Sequence, residues 1–285
     1  MVQAMPSTAF TQKPVPFERK AADFEIGNGN HRVRLARDWS EVEAAMALRY
    51  RIFYEEMLAR PTAEMMLRKQ DFDRYDEVAD HLLVLDKRIG DGPEAVVGTY
   101  RLIRRDAVAQ YGTFYSAAEF DVGILTSIPD EILELGRSCV DLKYRDRRVI
   151  NLLWQGIAHY CVNYDIRIMF GCASLPGQDL EAHALPLSYL YHNHLAPAPI
   201  RPKALPELYV DMNFLPPTDF LEKDAVKLVP PLIKGYLRIG GFVGDGAVVD
   251  EQFNTTDVCI VVKTKLITDK YARHFERHGS NLRSI

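Results

Sequence analysis

The pattern of apolar and polar positions is clearest between residues 133 and 175, where it predicts a strand, a helix and a second strand. Residues 133–140 form a short run that follows the Pro129-Asp130 turn signal. Residues 149–164 carry apolar side chains at helical spacing, and residues 166–175 are apolar and β-branched until Pro176-Gly177. Such a unit places its two strands in parallel with the helix against one face.

Weaker apolar patterns predict the remaining elements. Strands are expected at residues 31–36, 81–86, 95–103, 208–212 and 258–264, and helices at residues 41–60, 178–194 (broken at Pro186) and 225–239. For the first helix, Ser40 is the expected N-cap and Glu43 completes a capping box. Residues 81–86 and 95–103 should pair as an antiparallel hairpin. This order predicts a mixed α/β domain with a partly antiparallel sheet.

A basic turn precedes the helix of residues 149–164. It contains Lys143, Arg145, Arg147 and Arg148. Because the N–H groups at a helix N-terminus attract anions, the turn is interpreted as a phosphate cradle. The alternative is a solvated basic turn without a ligand.

Composition restricts the class of protein. The 285 residues carry a net charge of −4, which argues against a general nucleic-acid binder. The four cysteines form no Cys-x-x-Cys pair, which favours a reduced, cytoplasmic protein. No apolar run is long enough to span a membrane. We expect a flexible arm at residues 1–30, one domain at residues 31–267 and a tail at residues 268–285.

Five motifs resemble the bacterial ornithine-acyl-carrier-protein N-acyltransferases of ornithine-lipid synthesis. They are GRSCV (136–140), LLWQGIAHY (152–160), GCASLPG (171–177), PPLIKGYLRIGG (230–241) and FNTTDV (253–258). The resemblance implies the GNAT acyltransferase fold, a mixed and mostly antiparallel sheet flanked by helices. It also implies transfer of a 3-hydroxyacyl chain from acyl carrier protein to the α-amine of L-ornithine. No permanent cofactor is implied, because the acyl-phosphopantetheine of the carrier protein is a co-substrate.

The chain is also similar to the acyl-homoserine-lactone synthases. Positions that match that family are Arg49, Phe53, Asp71, Asp73, Arg101, Glu134 and Arg137. One departure concerns the turn before the central helix, where the CoA-dependent GNAT enzymes have glycines. Residues 145–150 (RDRRVI) contain none, which disfavours a CoA diphosphate and suits the single phosphodiester of a carrier protein. Arg145, Arg147 and Arg148 are therefore assigned to carrier-protein binding.

Aminolysis of a thioester needs a proton acceptor, and Glu134 is the candidate, directly or through a water molecule. The alternative is that Glu134 only pairs with Arg137. The two share a face only if the strand is bulged, which is easiest at Gly136. The resemblance implies such a bulge, whose N–H groups near Cys139 and Val140 would bind the oxyanion or the pantetheine amides. The thiol of Cys139 is interpreted as a small buried group and not as an acyl carrier.

The remaining candidates concern the amino acid. Arg49 or Arg101 would bind its carboxylate, unless each only pairs with the aspartates of the following loop. Asp71, Asp73 or Asp76 would receive the δ-ammonium, unless that loop is merely solvated. Ser138 and Ser174 lack a nearby histidine in their motifs, so they are expected to pack or to contact substrate. A metal site is not expected.

Other functions remain open on the sequence alone. They are acylation of glutamine or S-adenosylmethionine, CoA-dependent acetylation, and a non-catalytic module that binds acyl carrier protein. Residues 220–239 mix lysines with apolar side chains and either lie on the inner membrane surface or pack in the core.

Overall fold

A mixed sheet forms the centre of the protein, which we describe from a computed structural model that covers residues 24–109 and 111–265. The strands are β1 Glu25–Asn28, β2 His31–Leu35, β3 Asp80–Asp86, β4 Val96–Arg104, β5 Phe120–Asp121, β6 Glu131–Val140, β7 Ile166–Pro176, β8 Lys203–Ala204, β9 Phe242–Asp250 and β10 Thr255–Lys263. Their order is β1-β2-β3-β4-β6-β7-β10-β9-β8-β5. Only the β6–β7 and β8–β9 pairs within these residues are parallel, so the expected mixed, mostly antiparallel sheet is confirmed.

Helices cover both faces of the sheet. They are α1 Trp39–Tyr50, α2 Ala63–Arg68, α3 Arg105–Val108, α4 Gly123–Thr126, α5 Arg147–Asn163, α6 Leu180–His194, α7 Glu222–Leu228 and α8 Pro231–Arg238. On one face, α5, α6 and α8 bury the largest apolar cluster. On the other face, α1 packs against β3, β4 and β6, and the segment between β4 and β6 covers β6, β7 and β10. Burial of this apolar surface is the main driving force for the fold.

The parallel strands β6 and β7 separate part-way along their length. They pair from Glu131 to Glu134 on β6, and the described residues show no pairing between them beyond that point. Gly171 lies where they diverge, with φ at 154°, and a Cβ there would overlap the carbonyl oxygen of Leu135. Glycine is therefore required for the close approach of the two strands at this point. We call the place where β6 and β7 separate the fork.

Several local predictions are confirmed. The predicted β6–α5–β7 unit and the β3–β4 antiparallel hairpin are both present. Strand β10 covers most of the run expected at residues 258–264. These elements have strong apolar periodicity, which is the main local signal for secondary structure.

Other local predictions are wrong. The N-cap of α1 is Asp38, whose side chain accepts from the Glu41 N–H, and not Ser40. Helix α6 continues through Pro186 without a break. Strand β9 was not predicted, because Gly244 and Gly246 interrupt its apolar pattern.

The expected arm at residues 1–30 is wrong in its last part. Strand β1 pairs with β2, and Phe24 is buried with its ring 4.6 Å from that of His159 on α5. Residues 1–23 and the expected tail at residues 268–285 lie outside the described part. Within the described residues, no helix is long and apolar enough to span a membrane.

Candidate active site

A β-bulge in β6 creates the geometry of the site. Opposite β4, Thr99 pairs with Cys139 and Arg101 pairs with Gly136, so β6 contains one extra residue in this interval. Arg137 has a φ of 50° and carries the left-handed conformation that the bulge needs. The bulge that the resemblance implied is therefore present, centred on Arg137 and Ser138 and not on Gly136.

The bulge brings Glu134 and Arg137 to the same face of the sheet. The carboxylate of Glu134 accepts a hydrogen bond from the Tyr115 N–H at 2.8 Å. The guanidinium carbon of Arg137 lies 4.7 Å from the centre of the Tyr115 ring and 4.7 Å from that of Phe253. In a regular strand these two positions would face opposite ways.

Three arginines and three aspartates form an alternating ion-pair network beside the bulge. Arg49 contacts Asp71 at 2.8 Å and Asp76 at 2.8 Å. Arg101 contacts Asp73 at 2.7 Å and Asp76 at 3.3 Å. Arg137 completes the network through Asp71 at 3.0 Å and Asp73 at 3.1 Å. The charges of the six side chains balance one another.

This network decides between the two roles left open for the arginines and aspartates. Arg49 is 0% exposed and Arg101 is 1% exposed, and both are committed to carboxylates of the loop. Burial raises the pKa of Asp71, but Arg137 and Arg49 outweigh it and hold that pKa below its usual range. The geometry therefore favours the loop-pinning role, and neither the two arginines nor Asp71 and Asp76 are placed to bind an amino acid.

Arg137 is the most exposed of the three arginines in the network. Its side chain is 10% exposed, against 0% for that of Arg49. The rings of Tyr115 and Phe253 hold its guanidinium, and Phe53 packs edge-on against Phe253 at 5.8 Å. Arg137 also pairs with Asp71 and Asp73, so it shares the ionic commitments of the network and differs from Arg49 in its aromatic contacts and partial exposure.

The carboxylate of Glu134 is buried and already bonded. It is 2% exposed and accepts from the Tyr115 N–H, from the Ser116 N–H at 2.6 Å, and from the Ser116 hydroxyl. Burial raises its pKa, although the three hydrogen bonds oppose this. The geometry does not support direct contact of Glu134 with an amine, and the Ser116 hydroxyl that bonds to it is itself only 1% exposed.

The fork leaves one edge of β6 without a partner strand. Beyond Glu134, the described residues pair β6 only with β4, so backbone groups of residues 135–140 face the gap toward β7. Ser138 lies beside the Tyr100 hydroxyl on the opposite face of the sheet from Arg137. Burial raises the pKa of Cys139 to about 12, which keeps this thiol protonated and unreactive. The backbone groups of residues 135–140 that face the gap need a hydrogen-bonding partner.

The basic turn differs from the expected phosphate cradle. Asp146 caps α5 by accepting from the N–H groups of Arg148 and Val149, so a carboxylate already occupies the helix N-terminus. Arg145 pairs with Glu56 at 2.7 Å, and Arg148 pairs with Asp146 at 3.1 Å. The prediction that the N-terminus of this helix binds a phosphate is therefore wrong. The side chains of Arg145, Arg147 and Arg148 still form an exposed basic surface.

Comparisons with known proteins agree with this architecture. A family model described as an acetyltransferase (GNAT) domain matches residues 48–155. The chain is 49% identical over 250 residues to the L-ornithine N(alpha)-acyltransferase of Agrobacterium fabrum, covering 87% of this chain and 85% of that protein. It is 47% identical over 272 residues to the enzyme of the same name from Rhizobium meliloti, covering 94% and 91%. The chain belongs to the L-ornithine N(alpha)-acyltransferase family.

Two solved structures are also similar to this member of the family. One is a CoA-dependent acyl-homoserine lactone synthase, BjaI, with a TM-score of 0.47, 15% identity, and coverage of 84% of this chain and 83% of that one. The other is FeeM, an N-acyl amino acid synthase from uncultured soil microbes, with a TM-score of 0.47, 10% identity, and coverage of 82% and 90%. The resemblance stated from the five motifs is confirmed by the family match.

The sequence alone missed several residues of this acyltransferase site. Tyr115 and Ser116 belong to a short 3₁₀ turn, Tyr115–Ala118, in a connection with no periodic pattern. Glu119, Cys172 and Asp257 come from three separate elements and converge beside Ser174. No local signal marks these positions, because only the fold brings them together.

Proposed function

We propose that this protein transfers a 3-hydroxyacyl chain from acyl carrier protein to the α-amine of L-ornithine, the first step of ornithine-lipid synthesis. The observation that carries the proposal is the 49% identity to an L-ornithine N(alpha)-acyltransferase over most of both chains. The bulged β6 and its fork supply the site that such a reaction needs. The acyl-phosphopantetheine would be a co-substrate and not a resident cofactor.

The reaction is aminolysis of a thioester. The amine nitrogen forms a C–N bond with the acyl carbon, the C–S bond breaks, and the pantetheine sulfur leaves as the thiol. We assign the outer face of Arg137 to the carboxylate of ornithine. The unpaired edge of β6 at Ser138, Cys139 and Val140 would donate N–H groups to the pantetheine amides or to the developing oxyanion.

The amine must lose a proton before it attacks. We assign Glu134 as the final acceptor and the Ser116 hydroxyl, which donates to it, as the group that relays the proton. A carboxylate whose pKa is raised by burial holds a proton more readily near neutral pH. The positioning of both substrates then supplies the remaining rate enhancement.

The donor and the location in the cell are further parts of the proposal. The exposed arginines of the basic turn would meet the acidic surface of acyl carrier protein in the cytoplasm. Leu221, Leu228 and Leu232 are exposed beside Lys223 and Lys227, a surface suited to peripheral contact with the inner membrane. Sedimentation with anionic lipid vesicles measures that contact, and protein left entirely in the supernatant would contradict it.

Mass spectrometry of a defined mixture tests the reaction. Purified protein would be incubated with 3-hydroxyacyl carrier protein and with ornithine, lysine, glutamine or S-adenosylmethionine in turn. We expect N-acyl-ornithine as the main product. Acyl-CoA serves as the control donor and should give much less product. No product with any amine, together with tight binding of carrier protein, would instead identify a non-catalytic binding module.

A further inference from the structure

Three side chains form an acidic cluster beside the site. Ligand atoms of Glu119, Cys172 and Asp257 all lie within 4.8 Å of one another. The Cys172 thiol donates to the Glu119 carboxylate at 3.3 Å. Glu119 and Cys172 are partly exposed, so the cluster opens to solvent on one side.

One oxygen of the Asp257 carboxylate is buried and unsatisfied within the described part of the chain. Asp257 is 5% exposed, and its Oδ1 has no hydrogen-bond partner among the described residues. Leaving a buried carboxylate oxygen unsatisfied is costly, so such an atom is expected to receive a donor when the ligand is bound.

Among residues 24–109 and 111–265, no ion pair neutralises the carboxylates of the cluster. Burial, together with the charges of Asp257 and Asp250, raises the pKa of Glu119 to about 8. Burial and Asp250 raise the pKa of Asp257 to about 6, although the hydroxyls of Thr255 and Ser174 oppose this. Arg137 is the cation that faces both groups, but it is already paired with Asp71 and Asp73. A cationic ligand would relieve the repulsion between the two carboxylates.

Contacts connect the cluster to the reaction centre. The Cys172 sulfur lies 3.4 Å from the hydroxyl oxygen of Ser116, and that hydroxyl donates to Glu134. Asp257 is the direct cross-strand partner of Ser174, which lies on the β7 side of the fork. A ligand group in the cluster would therefore belong to the same molecule that reacts at the fork.

We propose that Glu119 and Asp257 bind the terminal ammonium of a dibasic amino-acid substrate and so select it over amino acids with uncharged side chains. This inference rests on the proposed function, because it assigns the side-chain pocket of the acceptor amine. It replaces Asp71, Asp73 and Asp76 in that role, since the arginine network already neutralises them. Charge-assisted hydrogen bonds to a buried carboxylate pair give strong discrimination against a substrate that lacks the donor.

The test compares ornithine with norvaline, which has the same carbon chain without the terminal amine. For Glu119→Gln and Asp257→Asn, we expect kcat/KM for ornithine to fall about 10- to 100-fold, mainly through KM. The value for norvaline should change by less than about threefold, because norvaline has no group for the cluster to bind. The matched control is Glu207→Gln, which removes one exposed carboxylate elsewhere and should leave both values unchanged.

Calorimetry of ornithine binding gives a readout that does not depend on turnover. With a pKa of about 8, Glu119 is largely protonated at pH 7, and a bound ammonium would lower that pKa. Ornithine binding to the wild type should then release a proton, seen as a dependence of the binding enthalpy on the buffer. Glu119→Gln should release none.

Three outcomes would overturn the inference. An unchanged ornithine-to-norvaline ratio in both variants would exclude ammonium binding by the cluster. Equal loss of kcat on both substrates would make Glu119 part of the proton transfer instead. A metal ion in the purified protein that ornithine does not displace would make the cluster a metal site. If the wild type acylates no ornithine at all, the proposed function itself fails, which is a distinct result.

Discussion

At the scale of single residues, the hydrogen bonds of the buried Glu134 carboxylate organise the candidate site. Both oxygens of Glu134 accept from the Tyr115–Ser116 turn, and this turn places the Tyr115 ring against Arg137. Glu134 therefore holds the turn that places the Tyr115 ring against Arg137, in addition to its proposed role as proton acceptor. The two roles can be separated, because the backbone N–H bonds hold the turn while the Ser116 hydroxyl carries the proposed proton path.

The change Ser116→Ala removes the hydroxyl and keeps both N–H bonds to Glu134. We expect kcat to fall about 10- to 100-fold, because the proton path to the carboxylate is interrupted. The free energy of unfolding should change by only about 1 kcal/mol. Steady-state kinetics and urea denaturation measure the two effects.

The matched control for this variant is Ser127→Ala, an exposed serine whose hydroxyl bonds only to a local carbonyl, that of Ile124. Its activity should match that of the wild type. Full kcat in Ser116→Ala would show that the hydroxyl is not in the proton path and that Glu134 only holds the turn.

At the scale of elements, buried ion pairs hold the loop after α2 in addition to the apolar contacts of Phe72. Arg49 on α1 and Arg101 on β4 both bind Asp76, which also closes a capping box with Asp73 on the Arg74–Glu77 turn. The Asp71 N–H donates to the Met46 carbonyl at 3.0 Å and ties the loop to α1. The network thus joins one helix, two strands and a loop around Arg137.

The change Asp76→Asn should be strongly destabilising. The change leaves the buried guanidiniums of Arg49 and Arg101 with one counter-charge fewer. Removing one partner of a buried ion pair lowers the free energy of unfolding by about 3–5 kcal/mol. Urea denaturation at pH 7 measures this loss. Asp106→Asn is the control, since that carboxylate is 63% exposed in its pair with Arg104 and should contribute under about 1 kcal/mol.

The effect of Asp76 should also depend on pH. Burial alone would raise the pKa of Asp76, but Arg49 and Arg101 hold it well below its usual range. A depressed pKa stabilises the folded state above the unfolded value of about 3.9 and loses that contribution as pH falls further. The difference between wild type and Asp76→Asn should therefore shrink below about pH 4. A difference that stays constant down to pH 3 would contradict this origin.

At the scale of the whole molecule, the proposed amino-acid site and the proposed carrier-protein surface lie in different places on β6. The aromatic and ionic groups around Arg137 lie on one face of β6, and the basic turn lies past its C-terminal end, before α5. The protein has a net charge of −4, so the basic turn is a local feature that can orient an acidic partner. Arg145 and its ion pair with Glu56 also link this turn to the helical segment Arg51–Glu56, which follows α1.

Replacing Arg145, Arg147 and Arg148 together by alanine should weaken the interaction with acyl carrier protein. We expect KM for the carrier protein to rise about 10-fold at low salt and its dependence on ionic strength to flatten. The control replaces three exposed cations elsewhere, Arg167, Lys203 and Lys263. Unchanged saturation by the carrier protein in the first triple variant would remove the arginines from this role.

The sequence by itself determined the elements with strong local periodicity and the family. The β6–α5–β7 unit and the β3–β4 hairpin follow from apolar spacing and turn residues, which act over a few neighbouring positions. The sequence indicates a bulge near Gly136, because Glu134 and Arg137 share one face of the strand only if the strand is bulged between them. Strand β9, with glycines inside it, gave too weak a pattern to be recognised.

Only the tertiary structure decided which charges are neutralised and which are left for a substrate. The sequence left two roles open for Arg49 and Arg101, and burial beside the aspartates resolved them. The cluster of Glu119, Cys172 and Asp257 draws on three elements that are distant along the chain. Charge compensation acts through space within a few ångströms, whereas sequence patterns report only on residues that are close along the chain.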